Sequence, residues 1–316
     1  MITSLGEYMD LLKRKENKDE VIRLPSGIYR LSDTAVKKIL EEHKIVKKPY
    51  YKETKKADGR ILNEKKIFEM CYKQKIPLLL KGPTGTGKTR FIEYMAYNLG
   101  LPLKTVACNE DTTAASVLGM IVPIGDQIWW KDGPLTLTVR GGGICYFDEI
   151  VEARPETIAL IHPVTDHRRI LPIDKTGEVI KAPDNFMFVA SYNPNYHGIM
   201  QKLKPSTKQR FVALDFGWPC LDDEVEIIMN ETGIDRSIAK RLAELAVSLR
   251  ESKAENNPAI EEAASTRTLV TAARLIVQGI KPREAAIISI GNIIIADDVK
   301  VEERMGIIDL IEGKFK

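Results

Sequence analysis

No apolar run in this 316-residue chain is long enough to cross a bilayer: Ala285 to Ala296 is interrupted by Ser289 and Asn292 and falls short of the roughly 20 residues that a spanning helix needs. Cysteine is scarce and dispersed. Cys71, Cys108, Cys145 and Cys220 form no C-x-x-C pair, so neither a zinc site nor a disulfide framework is indicated, and reduced thiols in a cytoplasmic protein are expected. The first thirty residues carry Lys13, Arg14, Lys15 and Lys18 without a sustained apolar stretch, so no secretory signal is expected. Histidine is sparse too. His162 and His167 sit five apart beside Asp166, without the three- or four-residue spacing of a helical metal pair, and His43 and His197 are isolated. A strong charge of one sign is also missing, since the net charge is only +3. The local exception is Lys44 to Lys75, with eleven Lys/Arg against four Asp/Glu, which reads as a solvated linker. No internal repeat or low-complexity tract stands out.

What is present is the material for a core. With 44% apolar and 29% charged residues, and about twice the length of a typical domain, the chain fits one α/β unit plus a smaller second one. Three segments follow from the patterning: an N-terminal appendage and basic linker over 1–70, an α/β core over 71–218, and a helical unit over 219–316. Apolar strands are expected at Pro77 to Leu80, Leu103 to Ala107, Ile144 to Phe147, Phe186 to Ser191 and Val212 to Phe216. They alternate with helices at Arg90 to Leu99, near Ala114 and at Pro155 to Asp166. Such alternation points to a parallel sheet covered by helices on both faces. Beyond Phe216 the apolar positions, among them Ile238, Leu242, Leu245, Ala246 and Leu249, follow helical spacing only.

Gly82-Pro83-Thr84-Gly85-Thr86-Gly87-Lys88-Thr89 fits G-x-x-x-x-G-K-[ST], between an expected strand and an expected helix. Gly85 and Gly87 allow the backbone to turn its N–H groups inward, the helix N-terminus adds partial positive charge, and Lys88 reaches the outer phosphates of a nucleotide. The Thr89 hydroxyl suits Mg²⁺. Downstream, Gly143 to Phe147 is an apolar strand that ends in Asp148-Glu149. Ligands sit at the carboxyl ends of strands in open α/β sheets, so Asp148 is expected to hold Mg²⁺ and Glu149 to deprotonate the attacking water. The expected activity is hydrolysis of a nucleoside triphosphate.

Asp148-Glu149-Ile150-Val151-Glu152-Ala153-Arg154, Ser191-Tyr192-Asn193-Pro194 and Ser206-Thr207-Lys208-Gln209-Arg210-Phe211 resemble the CbbQ/NirQ/NorQ/GvpN branch of the MoxR-type AAA+ ATPases. The similarity runs from about Leu78 to Thr232, continues weakly through the helical tail, and leaves the first seventy residues unexplained. It implies an AAA+ P-loop NTPase core followed by a smaller all-helical lid, with ATP and Mg²⁺ as cofactors. It implies that Asn193 is the polar sensor that bonds the γ-phosphate or the lytic water, and Arg210 an arginine finger contributed to the neighbouring subunit. Arg267, in Ser265-Thr266-Arg267-Thr268, matches the second sensor, serving either its own nucleotide or a neighbour's. Arg154, Arg168 and Arg169 are further candidates for the inter-subunit contact. The resemblance also implies a homo-oligomer, a hexameric ring, that acts as a chaperone or activase on a protein complex such as Rubisco or nitric oxide reductase, with gas vesicles the client in GvpN. A von Willebrand A-domain protein is the implied co-chaperone.

Two insertions carry the expected client contacts. Gly119 to Pro134, with Gly125-Asp126 at a turn and paired Trp129 and Trp130, reads as a hairpin whose tryptophans either face a central pore or fill the core. It resembles the family's helix-2 insert. Arg169 to Ala182, with Asp174-Lys175-Thr176-Gly177 as a four-residue turn, matches the pre-sensor hairpin. The competing class is a nucleic-acid motor or restriction-type NTPase. It lacks a recognisable DNA-binding module here, because the basic arm has no interleaved aromatics beyond Tyr50 and Tyr51, and no nucleic acid is expected as a partner. A small GTPase-like switch is third, disfavoured by the missing [NT]-K-x-D guanine signature and the added lid.

Overall fold

The computed structural model describes residues 20–53, 63–194, 203–255 and 257–315. His197 and the early basic residues Lys13 to Lys18 lie outside the described residues. The chain packs as two compact units, one built from 1–49, 64–81 and 89–215 and the other from 50–63, 82–88 and 216–316. No helix among the described residues is long and apolar enough to cross a membrane.

Among the described residues eleven strands run through the first unit: β1 (Val21–Arg23), β2 (Tyr29–Leu31), β3 (Leu78–Lys81), β4 (Leu103–Ala107), β5 (Gly119–Ile124), β6 (Gln127–Asp132), β7 (Gly143–Asp148), β8 (Ile170–Ile173), β9 (Glu178–Lys181), β10 (Phe186–Tyr192) and β11 (Val212–Asp215). Five form a wholly parallel sheet in the order β11-β3-β10-β7-β4. Its centre is apolar for a physical reason. Strands covered on both faces have no solvent side on which to place polar groups. All seven residues of β10 are buried, as are the first five of β7 and first three of β3. Ala190 lies in register between Leu79 and Phe147, and the rings of Phe147 and Phe188 pack 5.1 Å apart.

The expected helix over Pro155 to Asp166 is two helices, Pro155–Leu160 and His162–Thr165. Pro163 lacks the N–H that a continuous helix needs there, which ends the first and starts the second. The hairpin β5–β6 forms with Gly125 at its turn in a left-handed conformation (φ 58°). It does not stand alone. β2 pairs with β6 at Tyr29 and Trp129, and β1 pairs with β2, giving a four-stranded sheet in the order β1-β2-β6-β5. This places Trp129 and Trp130 in the interior, 6% and 1% exposed, with the Tyr29 ring 5.2 Å from Trp129. Met120, Ile121 and Ile128 remain half exposed on the hairpin. The helix Asp33–Glu41 follows β2, capped by the Ser32 hydroxyl accepting from the Ala35 N–H. Its C-terminal end is tied to β4, where the Leu103 N–H donates to the His43 carbonyl and Lys104 Nζ meets His43 Nε2 at 2.5 Å.

A buried charge cluster joins these pieces. Arg140, from the helix Pro134–Gly141, donates to Asp132 of β6 at 3.0 Å and to both carboxylate oxygens of Glu178 in β9 at 3.4 Å. Arg30 of β2 reaches the same Glu178 at 2.9 Å and Asp33 at 3.0 Å. The side chains of Arg140 and Asp132 are 2% and 6% exposed, and burial lifts the Asp132 carboxyl above the usual range even with Arg140 beside it. One carboxylate, Glu178, therefore ties the second hairpin to the N-terminal strands and the first.

The second unit is helical: Leu221–Thr232, Arg236–Ala254, Thr266–Val277, Pro282–Ala286 and Val301–Lys314 pack around Ile228, Leu242, Leu245, Leu249, Leu269, Ile290 and Ile311. A buried ion pair fixes its interior. Glu224, fully buried, takes two hydrogen bonds from Arg250 at 2.8 and 2.7 Å and a third from the Thr266 hydroxyl at 2.6 Å. Arg250 also stacks over Trp218 at 4.2 Å.

Removing Arg140 leaves Asp132 as a buried charge without its cation, so Arg140→Met is expected to cost the first unit about 3–5 kcal/mol. Asp33→Asn, at the exposed rim, should cost less than about 1 kcal/mol. Urea unfolding by tryptophan fluorescence checks this, with Trp218→Phe in the background so that only Trp129 and Trp130 report. Equal, small shifts for both variants would show that the cluster does not hold the sheet.

Candidate nucleotide and metal site

The phosphate loop is built on three glycines in backbone regions closed to other residues: Gly82 (φ 153°), Gly85 (φ 80°) and Gly87 (φ 90°). Two of them also have no room for a side chain. A Cβ on Gly82 would lie 2.1 Å from the Phe216 carbonyl oxygen, and one on Gly85 would lie 2.6 Å from the Ser265 Cβ. Gly87 borders open space, with nothing within 4 Å of the position a Cβ would take, which is the room a phosphate needs. Thr84 is exposed at the loop, and Thr86 is turned inward, its hydroxyl donating to the Pro83 carbonyl at 2.9 Å. Lys88, 6% exposed, donates to the carbonyls of Gly82 and Pro83 at 2.7 and 2.9 Å. The loop runs straight into the helix Lys88–Leu99, whose first N–H groups have no intrahelical acceptor and favour an anion.

Arg267 belongs to the same compact unit as the loop. Ser265 caps the helix Thr266–Val277 by accepting from the Thr268 N–H at 3.2 Å, and the Arg267 Cβ would be 3.7 Å from a Cβ on Gly85. The Thr266 hydroxyl is anchored on Glu224, so this helix start is positioned by the unit's own buried ion pair. A cation in a first helical turn opposes the helix dipole, which a neighbouring anion would relieve.

In the first unit, β7 ends at Asp148 and its carboxylate is held on both oxygens. Oδ1 accepts from the Ser191 hydroxyl at 2.5 Å and the Tyr146 hydroxyl at 2.7 Å, while Oδ2 accepts from the Thr89 hydroxyl at 3.2 Å. Burial, with the charge of Asp148 adding to it, pushes the Tyr146 phenol well above its ordinary range and keeps it a donor. Glu149 follows in a left-handed conformation (φ 52°, ψ 53°) that costs a non-glycine residue about 1–3 kcal/mol. Its N–H donates to the Ser191 hydroxyl at 3.2 Å, and its Oε2 accepts from the Asn193 N–H at 3.0 Å. Three hard oxygens, Thr89 Oγ1 and the two of Asp148, lie together there, and the carboxylate of Glu149 is the next along the chain. That donor set fits Mg²⁺.

The arginines differ in what they already hold. Arg154 donates to the Glu110 carbonyl at 2.8 Å, Arg168 is bidentate on Asp166, and Arg169 donates to the carbonyls of Pro183 and Phe186. Arg210, between the helix Pro205–Lys208 and β11, makes no side-chain hydrogen bond or ion pair among the described residues, and its Nε is buried without a partner. His162 lies near it, bonded to the Thr207 hydroxyl at 3.0 Å; burial first, then the charges of Arg210 and Lys204, hold the imidazole below its usual pKa. Burial pushes the Cys108 and Cys145 thiols up to about 12, so neither is a nucleophile.

Tyr146 and Ser191 were not singled out by motif. The signal was available in the strand period: Tyr146 precedes Asp148 by two, so both point to one face of the sheet. Ser191 continues the β10 register one step past the pair Ala190 and Phe147, opposite Asp148.

Comparison with known proteins follows the same layout. The profile of the AAA domain (dynein-related subfamily) matches residues 77–211, and that of the CbbQ/NirQ/NorQ C-terminal region matches 224–311. Denitrification regulatory protein NirQ of Pseudomonas aeruginosa is 48% identical over 248 residues, 78% of this chain and 94% of that protein. Protein CbbQ of Hydrogenophilus thermoluteolus is 53% identical over 215 residues, 68% of this chain and 79% of that protein. Protein NorQ of Paracoccus denitrificans is 47% identical over 256 residues, 80% of this chain and 92% of that protein.

Gly85→Ala should displace Ser265 and weaken ATP binding at least about tenfold, a loss of about 1.4 kcal/mol, in a fluorescent-analogue titration. Gly177→Ala, also left-handed (φ 74°) but bordering open space, should cost about 1–2 kcal/mol of stability and leave affinity unchanged. Unaltered affinity in Gly85→Ala would mean the loop tolerates a side chain where the geometry leaves none.

Proposed function

The chain belongs to the CbbQ/NirQ/NorQ family of MoxR-type AAA+ ATPases, and from that premise we propose that it is a Mg-ATP-driven ring that remodels or activates a protein complex. The observation that carries the ring reading is Arg210. A half-buried guanidinium without an anion among the described residues is an unfinished interaction. A phosphate presented by an adjacent subunit completes it, and stabilises the phosphoryl transition state only when that subunit is docked.

Within one subunit the geometry supports the following roles. Lys88 exchanges its carbonyl partners Gly82 and Pro83 for the outer phosphates, which the loop N–H groups cradle. Thr89 and Asp148 would hold Mg²⁺, which when bound neutralises phosphate charge. Glu149 takes the proton of the attacking water. In the described conformation its carboxylate is bonded to the Asn193 amide, so the base and the sensor segment move together. Arg267, close to Gly85 of its own chain, serves its own nucleotide.

The two hairpins deliver the movement. Ile121, Ile128 and Met120 on the first and Val179 on the second offer exposed apolar contact, and the shared Glu178 makes the pair act as one lever. The clients fitting this reading are large complexes such as Rubisco or nitric oxide reductase, with a von Willebrand A-domain protein as adaptor. Part of the basic N-terminal stretch serves the fold: Lys48 and Lys65 lie over the Tyr94 ring, and Lys52 pairs with Asp223 and Glu226. That leaves little of it for a nucleic-acid surface.

Glu149→Gln should bind ATP and accumulate as an assembled ring, read by light scattering. Arg210→Ala should keep nucleotide binding and lose turnover by about 10³-fold or more. Mixing Arg210→Ala with Lys88→Ala protomers should restore part of the hydrolysis, because one composite interface then has both an intact loop and an intact arginine. Protein that stays monomeric with Mg²⁺ and ATP and releases no phosphate would end this reading.

A further inference from the structure

The carboxylate of Asp148 has two oxygens, and the structure treats them differently. Oδ1 receives two hydroxyl donors, Ser191 at 2.5 Å and Tyr146 at 2.7 Å; Oδ2 receives Thr89 at 3.2 Å. The terminal torsion of an aspartate is broad and roughly two-fold, so an unsupported Asp148 would present either oxygen, in a range of tilts. Two donors on one oxygen, from two different strands, fix the plane of the group. We propose that Tyr146 and Ser191 are positioning residues for the metal-nucleotide complex, locking Asp148 so that Oδ2 faces the Thr89 hydroxyl, and this rests on the ATPase reading above.

Three further observations support the assignment. Tyr146 and Ser191 are both fully buried, in strands whose other interior positions are apolar apart from Tyr192 at the end of β10, so their hydroxyls are exceptions with a defined target. The two are themselves 2.9 Å apart, which closes a triangle of hydroxyl, hydroxyl and carboxylate oxygen rather than leaving two independent contacts. Ser191 also accepts the Glu149 N–H at 3.2 Å. One side chain of β10 thus sets both the orientation of Asp148 and the position of the backbone from which Glu149 projects. A tyrosine needed only to fill volume would do so equally well as phenylalanine, and the serine as alanine.

The test separates orientation from mere packing by comparing ATP affinity with and without metal. A fluorescent ATP analogue is titrated into wild type, Tyr146→Phe, Ser191→Ala and Ser191→Thr, first in EDTA and then across a Mg²⁺ series. Partners that orient a metal ligand are worth about 10–100-fold in metal affinity. The expected result is that Tyr146→Phe and Ser191→Ala bind the analogue in EDTA within about twofold of wild type but need at least about tenfold more Mg²⁺ to reach half of the metal-dependent gain, on the scale of that effect. Ser191→Thr, which keeps the hydroxyl, should restore the wild-type Mg²⁺ requirement. If Ser191→Ala does not fold, Tyr146→Phe carries the comparison alone. A Mg²⁺ requirement unmoved in folded Tyr146→Phe, or equal losses with and without metal, would overturn the proposal. Wild type that gains nothing from Mg²⁺ would instead remove the ATPase reading, and this inference with it.

Discussion

A strand buried on both faces cannot carry a polar group until it reaches the edge of the sheet, and this constraint locates the chemistry of the protein. β7 is apolar from Gly143 to Phe147 except for the Tyr146 hydroxyl, and it meets solvent only where it ends in Asp148 and Glu149. The neighbouring β10 is interior throughout and becomes polar at Ser191, one step before Tyr192 and the Asn193 amide. Because parallel strands in register present matching residues side by side, the polar ends of β7 and β10 fall together and bond to one another. The acid pair is a product of where the hydrophobic strands stop.

The same logic, with charge in place of apolar surface, governs the helical unit. Glu224 is fully buried, and burial of an isolated carboxylate would cost several kcal/mol. Arg250 and Thr266 satisfy it, and that places the start of the helix Thr266–Val277. Ser265 and Arg267 flank that anchor, and Ser265 occupies the space a side chain on Gly85 would need. The phosphate loop and the lid arginine are therefore coupled by steric exclusion at Gly85 and by the ion pair behind Thr266. A nucleotide that displaces the loop backbone must also be felt at this helix start.

Much of this was legible in the sequence because the relevant signals are local. The phosphate loop declares itself by spacing. The central strands declare themselves by uninterrupted apolar runs and the lid by helical periodicity. Relationships between distant residues were not legible. β1 and β2 are three residues each, too short to show alternation, and their meaning depends on β6, about a hundred residues later in the chain. Without that pairing, Trp129 and Trp130 could be read as exposed or buried with equal reason. The break at Pro163 was visible in composition, yet the helical pattern on either side of it outweighed a single residue. Tyr146 was absorbed into an apolar run, since an aromatic in a buried strand is ordinarily packing and its hydroxyl gains significance only from Asp148 two positions on.

The N-terminal strands gain a purpose from these distant contacts. A hairpin inserted into an α/β core is by itself a marginal two-stranded element. Adding β1 and β2 gives the first insertion four strands and a buried aromatic face. Arg30 then extends the bracing to the second hairpin through Glu178, while Arg140 anchors the same carboxylate to the helix that precedes β7. That helix ends at Gly141, and β7 begins at Gly143. Buried ion pairs thus link both hairpins to the helix that leads into β7, the apolar strand that ends in the acid pair. Any displacement of that helix is felt by both hairpins together, because Arg140 is bonded to Asp132 of the first and to Glu178 of the second.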